Sequence, residues 1–202
     1  SQKGQTLAGP SLDSHFGATV SLISDGSALA VGAPLAGDQE QGMFQAFKWT
    51  GSRWTNYGIK IYGASSGDRF GTSIGMNHLG DSIMVGIPNY DLPSMENVGM
   101  VQIYRYGTSS PYDVDSDGCT YQCWRPRGTI MGTIRPDSRF GQKVSKFDRS
   151  IDGCYFQAMA SSHNFNEKSP GIEGGHEDLE TLRFYGDSNC VVPRITALTS
   201  SS

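Results

Sequence analysis

The pair Phe-Gly recurs at Phe16-Gly17, Phe70-Gly71 and Phe140-Gly141, and its surroundings recur with it. An Asp stands within three residues before each pair: Asp13, Asp68 and Asp137. An alternating run follows each: 18–23, 72–76 and 142–147. A polar turn comes next, at Ser24-Asp25-Gly26, Leu79-Gly80-Asp81 and Ile151-Asp152-Gly153. A second apolar run covers 28–34, 82–88 and 154–160. A third covers 42–49, 99–106 and 179–185, and a fourth 54–63, 124–132 and 190–198. Short runs of period-two alternation between Gly, Asp and Ser turns are the pattern of an antiparallel meander. A repeating meander of this size cannot bury both of its faces alone, so the units must stack.

Composition agrees with short strands and tight turns. Glycine supplies 26 of 202 residues, well above the average usage of about 7%. No Gly-X-Y period accompanies it, which excludes a collagen helix. Aromatic residues make up 10% of the chain, too many for a wholly disordered polar segment. The net charge of −4 argues against nucleic acid, whose phosphates call for a basic face. No apolar run is long enough for a membrane-spanning helix. The chain opens Ser-Gln-Lys-Gly, with neither an initiator Met nor an apolar leader, and reads as a mature product or a fragment.

The series Phe-Gly, Asp-Gly, Val31-Gly32-Ala33-Pro34, Gly42 to Phe47, Trp54, Gly58, Gly63 and Asp68-Arg69-Phe70-Gly71 resembles the FG-GAP repeat. Such repeats build the propeller heads of integrin alpha subunits and of secreted microbial and algal proteins. The likeness spans essentially the whole chain. The third unit carries Ala158-Met159-Ala160 in place of Gly-Ala-Pro. The resemblance implies an all-β, propeller-like array of about three four-stranded antiparallel blades plus one N-terminal orphan strand. The chain is then a single repeat domain, 1–202, with units at about 10–63, 64–132 and 133–198. Residues 1–9 end a preceding unit, because Gly4 and Gly9 are spaced as Gly58 and Gly63 are. Lys3 to Ala8 is expected as the end of a fourth strand whose partners are missing. A propeller closes with roughly four to eight blades, so the array is open, completed by other copies or by the rest of a longer chain.

Structural roles are expected for Phe16, Gly17, Phe70, Gly71, Phe140 and Gly141. The Phe fills space between blades and the Gly admits a close or left-handed backbone. Asp13, Asp68 and Asp137 are expected to bind turn amides. Trp54 and Trp124 recur in register and are expected to pack within or between blades.

The second unit is longer than the first, and its excess is an insertion at 109–122 between the third and fourth strands. There Asp113, Asp115 and Asp117 precede Gly118, which is how a calcium loop begins. Positions 9 and 12 of such a loop would be Tyr121 and Trp124, so a later carboxylate is missing. Calcium is the possible cofactor, and an acidic hairpin tip the alternative. The four cysteines, Cys119, Cys123, Cys154 and Cys190, have no Cys-x-x-Cys spacing. Two disulfides in an oxidising compartment are favoured over four thiols. Cys119 with Cys123 and Cys154 with Cys190 is one pairing, and a cross pairing stays open.

For catalysis, His15, His78, His163 and His176 lie in unrelated contexts, and no nucleophile elbow, phosphate loop or His-Glu-x-x-His occurs. The polar stretch 161–178 reads as a solvated loop. The chain is therefore expected to be a non-catalytic extracellular scaffold, structural or adhesive, secreted or on a cell surface. Its copies would join head to tail through their two unlike ends. A calcium-assisted glycan-binding module is the alternative, and a propeller hydrolase or lyase is less favoured.

Overall fold

The computed structural model describes residues 2–108, 122–131, 136–145, 148–149, 155–163 and 177–185, with 148–149, 155–163 and 177–185 described as backbone. They form an all-β, propeller-like stack of antiparallel blades. The first blade has β1 (Thr19–Leu22), β2 (Ala28–Ala33), β3 (Met43–Trp49), β4 (Trp54–Asn56) and β5 (Ile61–Tyr62). Its order is β1-β2-β3, with β4 and β5 both paired to β3. They are two halves of one edge strand, parted at Gly58, whose φ is +84°. The second blade is β6 (Ser73–Met76), β7 (Ser82–Ile87), β8 (Met100–Thr108) and β9 (Gln122–Ile130), in that order. Pro126 sits in β9 beside a register shift at Ile103/Tyr104, on the blade's outer edge where a missing N–H is tolerated.

In the third blade, β10 (Lys143–Val144) and β11 (Asp148–Arg149) pair one after the other with β12 (Tyr155–His163), which pairs with β13 (Glu177–Tyr185). The expected fourth strand, 190–198, lies outside the described residues.

Each Phe-Gly pair is the centre of a tight turn. The residue before it is left-handed in all three units: His15, Arg69 and Arg139, with φ of 54°, 56° and 48°. The turn closes by hydrogen bonds from Ala18, Thr72 and Gln142 N–H to the carbonyls of those residues. A side chain at positive φ is held only where the surroundings fix it. In the second and third units the turn is packed against the preceding blade. Phe70 forms a parallel bridge with Gly42, and Phe140 one with Gly99. A Cβ at Gly32 would run into the Gly71 carbonyl, and one at Gly86 into the Gly141 carbonyl. Cβ atoms at Gly42 and Gly99 would strike the backbones of Phe70 and Phe140. The first and second blades therefore each receive the next unit's Phe-Gly turn between two glycines, one inside the second strand and one just before the third.

The cores lie between blades. Ala28, Ala30, Phe44 and Ala46 of the first blade pack with Phe70, Ile74, Met76, Ile83, Val85, Tyr104 and Trp124 of the second. Met84 and Val101 of the second blade pack with Phe140 of the third unit. The first strands run side by side: β1 touches β6, and β6 touches β10.

Three sequence expectations are corrected. Lys3 to Ala8 forms no strand. Its counterpart β5 is a strand because Ile61 and Tyr62 pair with Phe44 and Met43, and among the described residues Leu7-Ala8 has no such third strand beside it. Asp13, Asp68 and Asp137 are not equivalent. Counted from Phe-Gly, Asp68 aligns with Ser14 and Ser138; these three are buried, whereas Asp13 and Asp137 are exposed. Finally, the register of the third unit is displaced. Lys143 pairs with Ser161 as Thr19 pairs with Gly32 and Ser73 with Gly86. Ser161, not Ala158, takes the place of the second-strand glycine.

Candidate functional site

The first blade presents its outer face with no blade before it among the described residues. Aligned on Phe-Gly, Val20 and Leu22 of β1 correspond to Ile74 and Met76 of β6. Ile74 and Met76 are 6% and 0% exposed, under the first blade. Val20 and Leu22 are 56% and 44% exposed. The same chemistry thus occurs twice, once covered and once open. Leu12, on the 3-10 turn Leu12–Ser14, is fully exposed as well. Phe16 follows the same rule. Phe70 packs on Tyr104 of its own blade at 5.9 Å and on Phe44 of the preceding one at 5.8 Å. Phe16 packs edge-on against Phe47 of its own blade at 6.4 Å and remains partly exposed. Around Gly17, where a Cβ would sit, there is open space, whereas Gly71 and Gly141 press on the Met43 and Met100 carbonyls.

The outer part of this face is already covered. Residues 3–9 lie where the end of a preceding blade's fourth strand would lie. The Trp54 indole donates to the Lys3 carbonyl at 3.3 Å, as the Trp124 indole donates to the Tyr57 carbonyl. Gly4 abuts Trp49 and Trp54 as Gly58 abuts Tyr106 and Trp124, and Gly9 abuts Phe16 as Gly63 abuts Phe70. The Gln5 side chain both donates to and accepts from the Trp54 backbone. Lys3 lies over the Trp49 ring at 4.9 Å, a cation–π contact. Leu7 and Phe16 cover Leu29, Val31 and Phe47. The exposed part is the β1 face that carries Val20 and Leu22.

Tyr57 and Asp68 are among the perturbed ionisable groups at the blade boundaries. Burial, with Tyr106 and Asp81 nearby, pushes the Tyr57 phenol up to about 12. Burial raises the Asp68 carboxyl above its ordinary range, against hydrogen bonds from the Ser65 backbone and hydroxyl, and the charge of Asp91 adds to the rise. At the matching places Ser14 and Ser138 donate to the Ser11 and Val98 carbonyls.

Asp113, Asp115, Asp117, Cys119, Cys154 and Cys190 lie outside the described residues. Cys123 is buried at the start of β9 and is disulfide-bonded. Among the described residues no group of three or more His, Cys, Asp and Glu side chains could hold a metal ion, and no helix is long and apolar enough to cross a membrane. Phe70, Phe140 and Trp124 are buried between blades, while Trp54 is half-buried against residues 3–5. Sequence reasoning passed over Val20 and Leu22. Their signal was the alignment with Ile74 and Met76, one of which had to be covered by a blade that the other lacked.

No family model matches the chain, and no curated protein does. Among solved structures it is similar to the periplasmic gluconolactonase of Pseudomonas aeruginosa, at 15% identity and a TM-score of 0.40. The match covers 96% of this chain, which spans 58% of that protein's length. The expectation that the chain is no enzyme is corrected on this finding, since a structure similar to it is an enzyme. So distant a likeness carries no particular reaction across.

Proposed function

We propose that this chain is an association module of an FG-GAP-type propeller, working outside the cell, whose open first blade docks a further blade. The observation that supports it is the contrast between Val20 and Leu22, half exposed, and Ile74 and Met76, which the first blade buries. Exposed apolar strips of this kind mark interaction surfaces. Covering the exposed halves of Val20 and Leu22 contributes about 2 kcal/mol, taking roughly 1.5–3 kcal/mol for full burial of each side chain. The secreted or cell-surface setting is part of the same proposal, and the disulfide at Cys123 suits an oxidising compartment.

The test supplies the blade in cis. A copy of residues 10–56 is joined ahead of Lys3 in the full chain, so that Lys3 follows it as Tyr57 follows Asn56. The extended chain is expected to unfold at higher denaturant than the parent, and the β1 amides to exchange more slowly. An extended chain that is no more stable, with β1 exchanging as before, overturns the proposal.

A further inference from the structure

The blades receive one another by a rule that the third does not obey. In the first blade, the Gly32 and Gly42 backbones touch the Phe70-Gly71 turn; in the second, Gly86 and Gly99 touch Phe140-Gly141. Strand register identifies the matching residues of the third blade. Lys143 pairs with Ser161, which puts Ser161 at the place of Gly32 and Gly86. Ser162 pairs with Asp178 as Ala33 pairs with Met43 and Ile87 with Met100, which puts Glu177 at the place of Gly42 and Gly99. Both receiving glycines are replaced at once, by residues that carry a Cβ where the first two blades have none to spare.

We infer that the array is directional: the third blade ends it, and the open first blade accepts a blade only if that blade has glycine at both receiving places. This rests on the association reading above and sharpens it. It also sets aside the head-to-tail joining expected from the sequence. In a second copy, the glycines of blades one and two are already taken by the turns that follow them, and the remaining end carries Ser161 and Glu177. The occupant is therefore a three-stranded meander foreign to these three blades, with glycine inside its second strand and before its third. Residues 3–9 of this chain complete it. Leu7 and Ala8 pair with the start of its third strand, as Ile61 and Tyr62 pair with Phe44 and Met43. Continuity with the blade-to-blade interface already present twice in the chain specifies that occupant.

Two measurements test the rule. In the extended chain, the grafted copies of Gly32 and Gly42 are changed to the third blade's residues, Ser and Glu. The slowing of β1 exchange given by the unsubstituted graft is expected to be lost. If the substituted graft protects β1 as well as the unsubstituted one, the rule is overturned while the association reading stands. If neither graft protects β1, it is the association reading that fails. The second measurement uses the 202-residue chain with Ser161→Gly and Glu177→Gly together. The parent is expected to sediment as a monomer at micromolar concentration, and the doubly substituted chain as dimers and longer species. Adding Leu22→Asp is expected to return it to monomer. A parent that already polymerises through Leu22, or a doubly substituted chain that stays monomeric, overturns the rule.

Discussion

The Trp124 indole donates its N–H to the Tyr57 carbonyl oxygen at 2.6 Å, tying the second blade's outer strand to the first blade's. Trp124 is buried among Phe44, Tyr57 and Tyr106, with ring centroids 5.3–6.1 Å away. Replacing it by Phe strands a part-buried carbonyl and removes part of an aromatic cluster. Trp124→Phe is expected to lower stability by about 2 kcal/mol, since an unsatisfied buried group costs about 1–3 kcal/mol. Trp54→Phe, whose bond to Lys3 is longer and more exposed, should cost less than half of that. Denaturant midpoints of the two variants give the comparison, and equal losses would contradict it.

Leu22 and Met76 hold matching places on β1 and β6, and only Met76 is covered. Met76→Ala is expected to cost about 2–5 kcal/mol, the range for truncating a buried side chain. Leu22→Ala should stay within about 1 kcal/mol of the parent in the same urea titration. A loss at Leu22 as large as that at Met76 would mean that its face is already occupied in solution.

Glycine at three aligned places separates steric from backbone effects. Gly17, Gly71 and Gly141 all have φ near +90°, unfavourable for any Cβ. Only Gly71 and Gly141 are also pressed against a preceding blade. Gly71→Ala is expected to destabilise by about 1–3 kcal/mol more than Gly17→Ala, the usual range for overpacking. Thermal unfolding of the pair measures the difference directly.

Tyr57 is a neutral phenol whose folded pKa, about 12, lies above its ordinary value of 10.0. The unfolded chain releases this proton first, so the stability it contributes is whole below pH 10 and fades as the pH rises toward 12. Unfolding midpoints are expected to fall across that window, and more shallowly in Tyr57→Phe. Parallel curves for parent and variant would show that the phenol has no part in the fall.

Asp68 has the same sign for the same reason. Its folded pKa is raised by burial, so its contribution is present below the ordinary carboxyl value of 3.8 and is lost as the pH rises through the folded value. Asp68→Ser installs the residue that Ser14 and Ser138 provide in the neighbouring units. Its stability relative to the parent should increase as the pH rises from 3.8 to neutrality. A difference independent of pH would show the carboxyl to be unperturbed.

The glycines carried most of what the sequence could reveal. Gly4 with Gly9, and Gly58 with Gly63, announced a shared segment before any strand was placed, because close backbone approach leaves a residue no alternative. Apolar runs were less reliable guides. Once the third unit lost its glycines, its second strand could be aligned only by hydrophobicity, and the alignment slid from Ser161 to Ala158. Lys3 to Ala8 failed as a strand for a reason no local pattern contains: pairing needs a neighbour, and Leu7-Ala8 has none among the described residues. The buried Asp68 was hidden among acidic residues that merely lie nearby, because Asp13 and Asp137 share its distance from Phe-Gly only loosely. The open strip at Val20 and Leu22 was written as plainly as the closed one at Ile74 and Met76. It could be recognised as open only after the blade covering the latter was seen.

The second and third Phe-Gly turns dock into glycines that precede them in the chain: Phe70 meets Gly42, and Phe140 meets Gly99. Synthesis from the N-terminus therefore delivers every socket before the plug that fills it. The second and third blades emerge from the ribosome onto a template already made, and growth can proceed as nearest-neighbour propagation without waiting for distant chain. Within these residues the first blade is the template for the second, and the second for the third.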